Sequence, residues 1–321
     1  MKTLCQCKAA GLCPRHLKEK TPAEVRQCQS DWHHYHYCER KTDNLQPGHI
    51  TTGKRDPVTC DVIIPYHPAT FEWVEESVNS ILNQNCARPI IHLIADGFPT
   101  SEDALRFKFN DAPNVRKWRN KTAVGPFIST MRIFDHLETD IMLVQDSDDI
   151  AMPDRCWYTV ACLEQTGREI FGASVQQFID HKWSCPLVER IYHKSPTLTS
   201  GNINEANPGG NVVHPTMGIR KSTFEKLNGY TEALTAADTH LIRRAHEMGC
   251  SFFISPDVVA LRRLHSKSLS HGKRIGFGSS ELKAIHVTFE THYRQIAAGA
   301  KPEGFGALNQ HRNSDQIERV K

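Results

Sequence analysis

Between residues 59 and 145 the chain keeps returning to short, unbroken apolar runs, each followed by a stretch whose apolar residues recur at helical spacing. In the first run, Asp61-Val-Ile-Ile-Pro65, nothing between the ends can face water once the chain is extended, so both faces must be covered. This predicts a central strand over 59–66. Residues 69–84 then place Val74, Val78, Ile81 and Leu82 at offsets of four, seven and eight, one stripe of a helix. A strand over 90–95, a helix over 101–110 and a short strand over 115–118 follow. A third helix carries Phe127, Met131 and Phe134 on one face, and a fourth strand runs over 141–145. Strands joined by crossover helices form a parallel sheet covered on both sides, and such sheets take ligands beyond the carboxyl ends of their strands. The chemistry is therefore expected after residues 66, 95 and 145.

The second half is less regular, with a helix from Pro153, strands over 170–179 and 187–193, and a loop over 200–211 rich in Gly and Asn. Residues 41–57 are polar and punctuated by Pro47, Gly48, Gly53 and Pro57, which reads as a linker. The expected division is a Cys/His-rich module with linker over 1–56, an α/β domain over 57–275, and a helix with a polar tail over 276–321.

Composition bounds the partners. No stretch approaches the roughly 18 consecutive apolar residues of a membrane helix, and residues 1–8 lack the apolar core of a signal peptide. A cytoplasmic location is expected. The net charge is +3; ten Lys or Arg against six Asp or Glu give residues 1–60 a charge of +4, leaving −1 for the rest. No basic cluster interleaves with stacking aromatics, which argues against a nucleic-acid partner.

Five of the 11 cysteines, Cys5, Cys7, Cys13, Cys28 and Cys38, fall in the first 38 residues together with His16, His33, His34 and His36. Reduced intracellular thiols at this density suggest metal rather than disulfides. Cys5, Cys7, Cys13, His16 and Cys28 offer enough soft ligands for a structural zinc site, and zinc would supply the folding free energy that so few apolar side chains cannot. The alternative is a leader whose thiols bind nothing.

The fourth strand runs directly into Gln145-Asp146-Ser147-Asp148-Asp149. An extended chain delivers Asp146 and Asp148, at i and i+2, to one side of the backbone, where they can grip a divalent cation. Magnesium and manganese take hard oxygen ligands and share their shell with substrate phosphates, so this pair at a ligand edge suits a nucleoside diphosphate. A plainer reading makes Asp149 the N-cap of the next helix with Pro153 in its first turn; it accounts for one acid, not three.

Over about 210 residues, from Thr59 to about Ser270, the sequence resembles the inverting GT-A glycosyltransferases of family two. Val62-Ile-Ile-Pro65-Tyr66 resembles the opening nucleotide-binding element, which makes Pro65 and Tyr66 nucleotide contacts, and Ile94-Ala95-Asp96-Gly97 resembles the second strand, whose Asp96 would touch the base or ribose. By the same resemblance Asp146 and Asp148 hold the metal and diphosphate, with Asp149 a weaker candidate. The segment from His214 to Tyr230 is similar to the acceptor-side strand and helix, and Ala236-Ala237-Asp238-Thr239-His240-Leu241 to the motif that carries the catalytic base. The pattern departs there, because Ala237 stands where Glu is usual and His240 where a second acid is common. Asp238 remains as the base, its alternative being a helix cap. The segment 261–270 is similar to the closing element, in which His265 would complete the manganese or magnesium shell and one of Arg262, Arg263 and Lys267 would meet the diphosphate.

The resemblance implies a mixed α/β sheet flanked by helices and an inverting transfer from a nucleoside-diphosphate sugar, a UDP-sugar first, to a saccharide or other hydroxyl acceptor. Trp157 and Trp183 are assigned to the core. Two other classes remain. A nucleotidyltransferase would carry a Gly-rich basic loop where this chain has Tyr66-His67-Pro68, and a non-catalytic nucleotide-sugar or glycan-binding protein would tolerate Ala237.

Overall fold

The computed structural model describes residues 56–100, 112–179, 191–192, 212–269, 275–276, 278–312 and 314–320. The Cys/His-rich module, the helix expected over 101–110, most of the strand expected over 187–193, Trp183 and the loop 200–211 lie outside the described residues.

In chain order the elements are β1 (Asp61–Tyr66), α1 (Phe71–Leu82), β2 (Ile90–Ala95), β3 (Val115–Asn120), α2 (Pro126–Arg132), β4 (Ile141–Val144) and β5 (Ile150–Ala151). These are followed by α3 (Arg155–Thr166), β6 (Ile170–Ile179), β7 (Ile191–Tyr192), β8 (Gly218–Arg220), α4 (Lys221–Lys226) and α5 (Ala237–Glu247). The chain closes with β9 (Phe252–Leu264), α6 (Ser280–Ala297), α7 (Leu308–His311) and β10 (Ile317–Val320). The apolar run of β1 has the cause inferred from its sequence. Val62 and Ile64 join Val74, Val78 and Ile81 of α1 and Val160 and Leu163 of α3 in one core. Ile63 joins Phe127 and Met131 of α2, Phe224 of α4 and Leu241 of α5 in the other.

Across the sheet the strands run β10-β3-β2-β1-β4-β8-β6-β9-β5, with β7 beside β6. β3, β2, β1 and β4 are parallel. Because the chain leaves β1 for β2 on one side and returns to β4 on the other, the strand order reverses at β1. In open α/β sheets ligands bind at such a reversal, beyond the carboxyl ends of the strands.

The sheet is mixed, as the resemblance implies: β8 is antiparallel to β4 and to β6, and β5 is antiparallel to β9. Two features correct the sequence reading. The helix expected from Pro153 begins at Arg155 with Asp154 at the N-cap position, so Asp149 caps nothing. The intervening Ile150 and Ala151 are drawn into pairing with Leu261 and Ala260 of β9. Finally, the polar tail contains β10, paired antiparallel with β3, its charges absorbed by an Arg119–Glu318 ion pair of 2.6 Å and by Arg319 lying 5.8 Å over the Trp118 ring.

At the far end of β1, Asp61 is fully buried and accepts from His92 Nε2 (2.8 Å), Glu138 N (3.0 Å), Thr139 N (2.7 Å) and Thr139 Oγ1 (2.7 Å). Burial pushes its carboxyl up, but the hydrogen bonds from His92 and Thr139 outweigh that and hold it below the usual range. A depressed folded value contributes stability above the unfolded value of about 3.9 and loses it as pH falls through the folded value. Asp61→Ala strands three donors, the Thr139 hydroxyl keeping the Ile141 carbonyl (2.9 Å), and chemical denaturation is expected to show a loss of about 3–5 kcal/mol at pH 7 that shrinks towards pH 3.

Candidate active site

The acidic segment leaves β4 at the point where strand order reverses, and its backbone is anchored from below. Gln145, fully buried, donates to Ser77 Oγ (3.0 Å) and to the Asp149 carbonyl (2.8 Å), and Ser77 Oγ in turn donates to the Asp146 carbonyl (3.0 Å). The buried guanidinium of Arg155, the first residue of α3, donates to Gln145 Oε1 and to the Val144 carbonyl. A cation beneath the loop also offsets part of the charge above it, for Arg155 is among the groups that lower Asp146.

Above this floor, Asp146, Asp148 and Asp149 each present an oxygen, the three lying within 4.8 Å of one another. Asp149 is 2% exposed; its Oδ1 accepts from Arg263 N (2.8 Å), while its buried Oδ2 has no partner. Burial first, then the charges of Asp148 and Asp146, push its carboxyl well up. An orphaned buried oxygen beside two further carboxylates is what a divalent cation would relieve, and an all-oxygen set is what magnesium or manganese prefers. The residues present therefore fit such an ion.

Each acid of the pair is held by a histidine. His265 Nε2 lies 2.7 Å from Asp148 Oδ2, its ring backed by Trp73 of α1 at a centroid distance of 4.1 Å, and its buried Nδ1 is unpartnered. His214 Nδ1 lies 3.4 Å from Asp146 Oδ1. Burial raises the Asp146 carboxyl, but the bond to His214 and the charges of His214, Arg262 and Arg155 take it below its usual range. Of the three cations expected near a diphosphate, Arg262 is the one whose charge acts on both Asp146 and Asp149. Arg263 Nε is bound to the Asp148 carbonyl (2.8 Å) and its terminal nitrogen to Glu76, and exposed Lys267 pairs with Glu72.

The remaining sequence-derived positions fall as follows. Pro65 ends β1 half-buried. Tyr66 is 2% exposed, its ring packed against Phe98 (5.2 Å) and Phe71 (6.4 Å) in the core. Asp96 ends β2, but its carboxylate turns inward: Oδ1 accepts from Asn120 Nδ2 (3.0 Å) and Val124 N (3.0 Å), and Oδ2 from Gly125 N (2.8 Å) and Val124 N (3.2 Å). Three N–H donors thus converge on this carboxylate, that of Val124 shared between its two oxygens. As it stands, Asp96 ties down the loop that opens α2, where Gly125 takes a φ of 87°.

Asp238 occupies the first turn of α5 rather than its cap, which is Ala236 in a left-handed conformation (φ 60°). A non-glycine residue there stores strain of about 1–3 kcal/mol, a feature of tightly determined loops. The charge of Asp238 is among those that raise His214 and Tyr230. Trp157 is buried in the core beside α1.

A family model described as "Glycosyl transferase family 2" matches residues 61–227, just over half of the chain, and this span holds the acidic cluster. The chain belongs to glycosyltransferase family 2. Its fold is similar to that of Staphylococcus aureus TarS 1–349 in complex with UDP-GlcNAc, at a TM-score of 0.54 and 13% identity over 65% of this chain and 59% of that one. The same TarS fragment in complex with UDP gives 0.53 and 13%, covering 65% and 61%. Mannosyltransferase PcManGT from Pyrobaculum calidifontis, in complex with GDP-Man and Mn2+, gives 0.53 and 14%, covering 92% and 80%. The chain thus spans about three fifths of the TarS fragment, and at these identities the likeness is one of fold. No curated protein matches the sequence.

The two residues that depart from the family pattern, Ala237 and His240, are both fully buried. Ala237 is fully buried in the core with Leu241 and Tyr230, so a Glu at that position would bury a carboxylate among apolar side chains. His240 is also fully buried; its Nδ1 accepts from Arg244 Nε (3.2 Å) and its Nε2 lies 3.2 Å from His292 Nδ1 of α6. Burial, with Arg244 adding to it, takes His240 down to about 2, so it packs as a neutral ring between α5 and α6. Among the described residues no helix is long and apolar enough to cross a membrane.

Proposed function

We propose that this family 2 chain transfers a sugar from a nucleoside-diphosphate sugar, a UDP-sugar first, to a hydroxyl of a saccharide or other acceptor with inversion. The observation that carries this reading is the convergence of three carboxylates at the carboxyl end of β4, where strand order reverses. Asp146, Asp148, Asp149 and His265 would hold manganese or magnesium. When bound, the ion supplies positive charge against the diphosphate as it leaves.

The chain's own residues carry the rest. Asp238 accepts the proton of the acceptor hydroxyl as its oxygen forms a bond to the anomeric carbon. The bond from that carbon to the diphosphate oxygen breaks on the opposite side, and the electron pair departs with the diphosphate. Arg262, whose charge already reaches the acidic cluster, meets the leaving group. Gln145, Arg155 and Ser77 keep the loop from shifting between ground and transition state, which is where electrostatic preorganisation has its value.

The reading is tested by incubating the full chain with a panel of UDP- and GDP-sugars, manganese and simple glycoside acceptors. Release of nucleoside diphosphate with formation of a glycoside of inverted configuration is expected; a retained configuration, or no release with any donor, would refute it.

A further inference from the structure

One side chain bridges the acidic segment and Tyr230. His214 stands in the turn before β8, its side chain 12% exposed. Its Nδ1 is 3.4 Å from Asp146 Oδ1 on the donor side, and its Nε2 is 3.1 Å from the Tyr230 hydroxyl. Tyr230 is fully buried, lies in the segment between α4 and α5, and packs edge-on against His214 and at 4.9 Å from Phe127. Its carbonyl accepts from Ala307 N (2.8 Å), which fixes the backbone that leads into Asp238.

Hydrogen-bond roles follow from the chemistry of the three groups. An ionised carboxylate only accepts, so Nδ1 carries the proton. In the neutral ring with its proton on Nδ1, Nε2 is the acceptor and the Tyr230 hydroxyl donates to it. One tautomer satisfies all three groups in sequence, from Tyr230 to His214 to Asp146. This chain links the acid that ends β4 to the segment that carries the base on α5. In that segment Ala237 contributes no polar group of its own.

We propose that His214 is a positioning residue that, together with Tyr230, fixes Asp146 relative to the segment bearing Asp238; this rests on the transferase reading above. Such a residue acts on the alignment of the two reactants, a factor in which a displacement of about 1 Å can cost about a hundredfold in rate. It does not act on the rest of the acidic cluster, since Asp148, Asp149 and His265 keep their partners without it.

The test is a double-mutant cycle on the full chain with His214→Asn, which keeps a donor near Nδ1 but ends the link to Tyr230, and Tyr230→Phe, which keeps the core volume. Each single change is expected to lower kcat about tenfold with the KM for donor within about twofold, and the double variant to be no slower than either single one. His214→Ala is expected to fall further, by about a hundredfold, with His214→Asn recovering part of the loss. Additive effects, a loss carried by KM alone, or unchanged kcat in His214→Asn would overturn the proposal while leaving the transferase reading standing. A wild-type chain that turns over no donor would sink both.

Discussion

Asp148→Asn is expected to lower sugar transfer by about 10³-fold and to weaken manganese binding by more than the 10–100-fold typical of losing an outer-shell partner. The size follows from what Asp148 does at once. It offers an oxygen within 4.8 Å of those of Asp146 and Asp149, and its Oδ2 holds His265 Nε2 at 2.7 Å. The amide keeps the shape but halves the oxygens and removes the charge. His265 then loses the partner that orients it, although Trp73 still backs its ring. Removing a charge from a crowded acidic cluster also relieves repulsion, so Asp149, pushed up by burial and by its two neighbours, falls back towards its usual range. The variant is therefore expected to be no less stable to heat than the wild type, which separates loss of activity from loss of fold.

Asp238→Asn is the second large effect, a fall in kcat of about 10²–10⁴-fold with nucleotide affinity unchanged. A general base contributes only when the acceptor proton moves, so its loss is confined to the transition state. Asp238 opens α5 behind a left-handed Ala236, and no element of the acidic cluster rests on it. Single-turnover measurements with a saturating donor would separate the two variants. Asp148→Asn binds its donor weakly and Asp238→Asn binds it normally, yet both turn over slowly. Normal turnover in Asp238→Asn would move the base to another residue.

The central sheet was legible because its strands are buried on both sides. Residues 90–95 and 170–179 form strands over the very spans their apolar runs define, and the run at 61–66 differs by two residues at its start. What escaped notice lies at the margins. β10 reads Ile-Glu-Arg-Val, and an edge strand whose charges are met by Arg119 and the Trp118 face has no apolar pattern to betray it. β5 is two residues long and pairs with β9, more than 100 residues away.

The site divides in the same way. The acidic cluster was readable because its residues are adjacent in sequence and follow a strand. Tyr66 shares parity with Val62 and Ile64, and that parity puts its ring in the core with them. Asp96 and His214 were beyond reach. The partners that turn the Asp96 carboxylate inward lie 24–29 residues away, and those of His214 are set by a strand, a turn and a loop that only the fold brings together. Arg155 gave no signal either, since an Arg at a helix start is ordinarily solvated.

Calorimetric titration of the full chain with UDP, with and without manganese, tests most directly the claim that this cluster exists to hold a metal-bound nucleoside diphosphate. Binding that requires manganese and is lost in Asp148→Asn is the predicted result. Binding that is indifferent to both the metal and Asp148, or no binding of any nucleoside diphosphate, would contradict it.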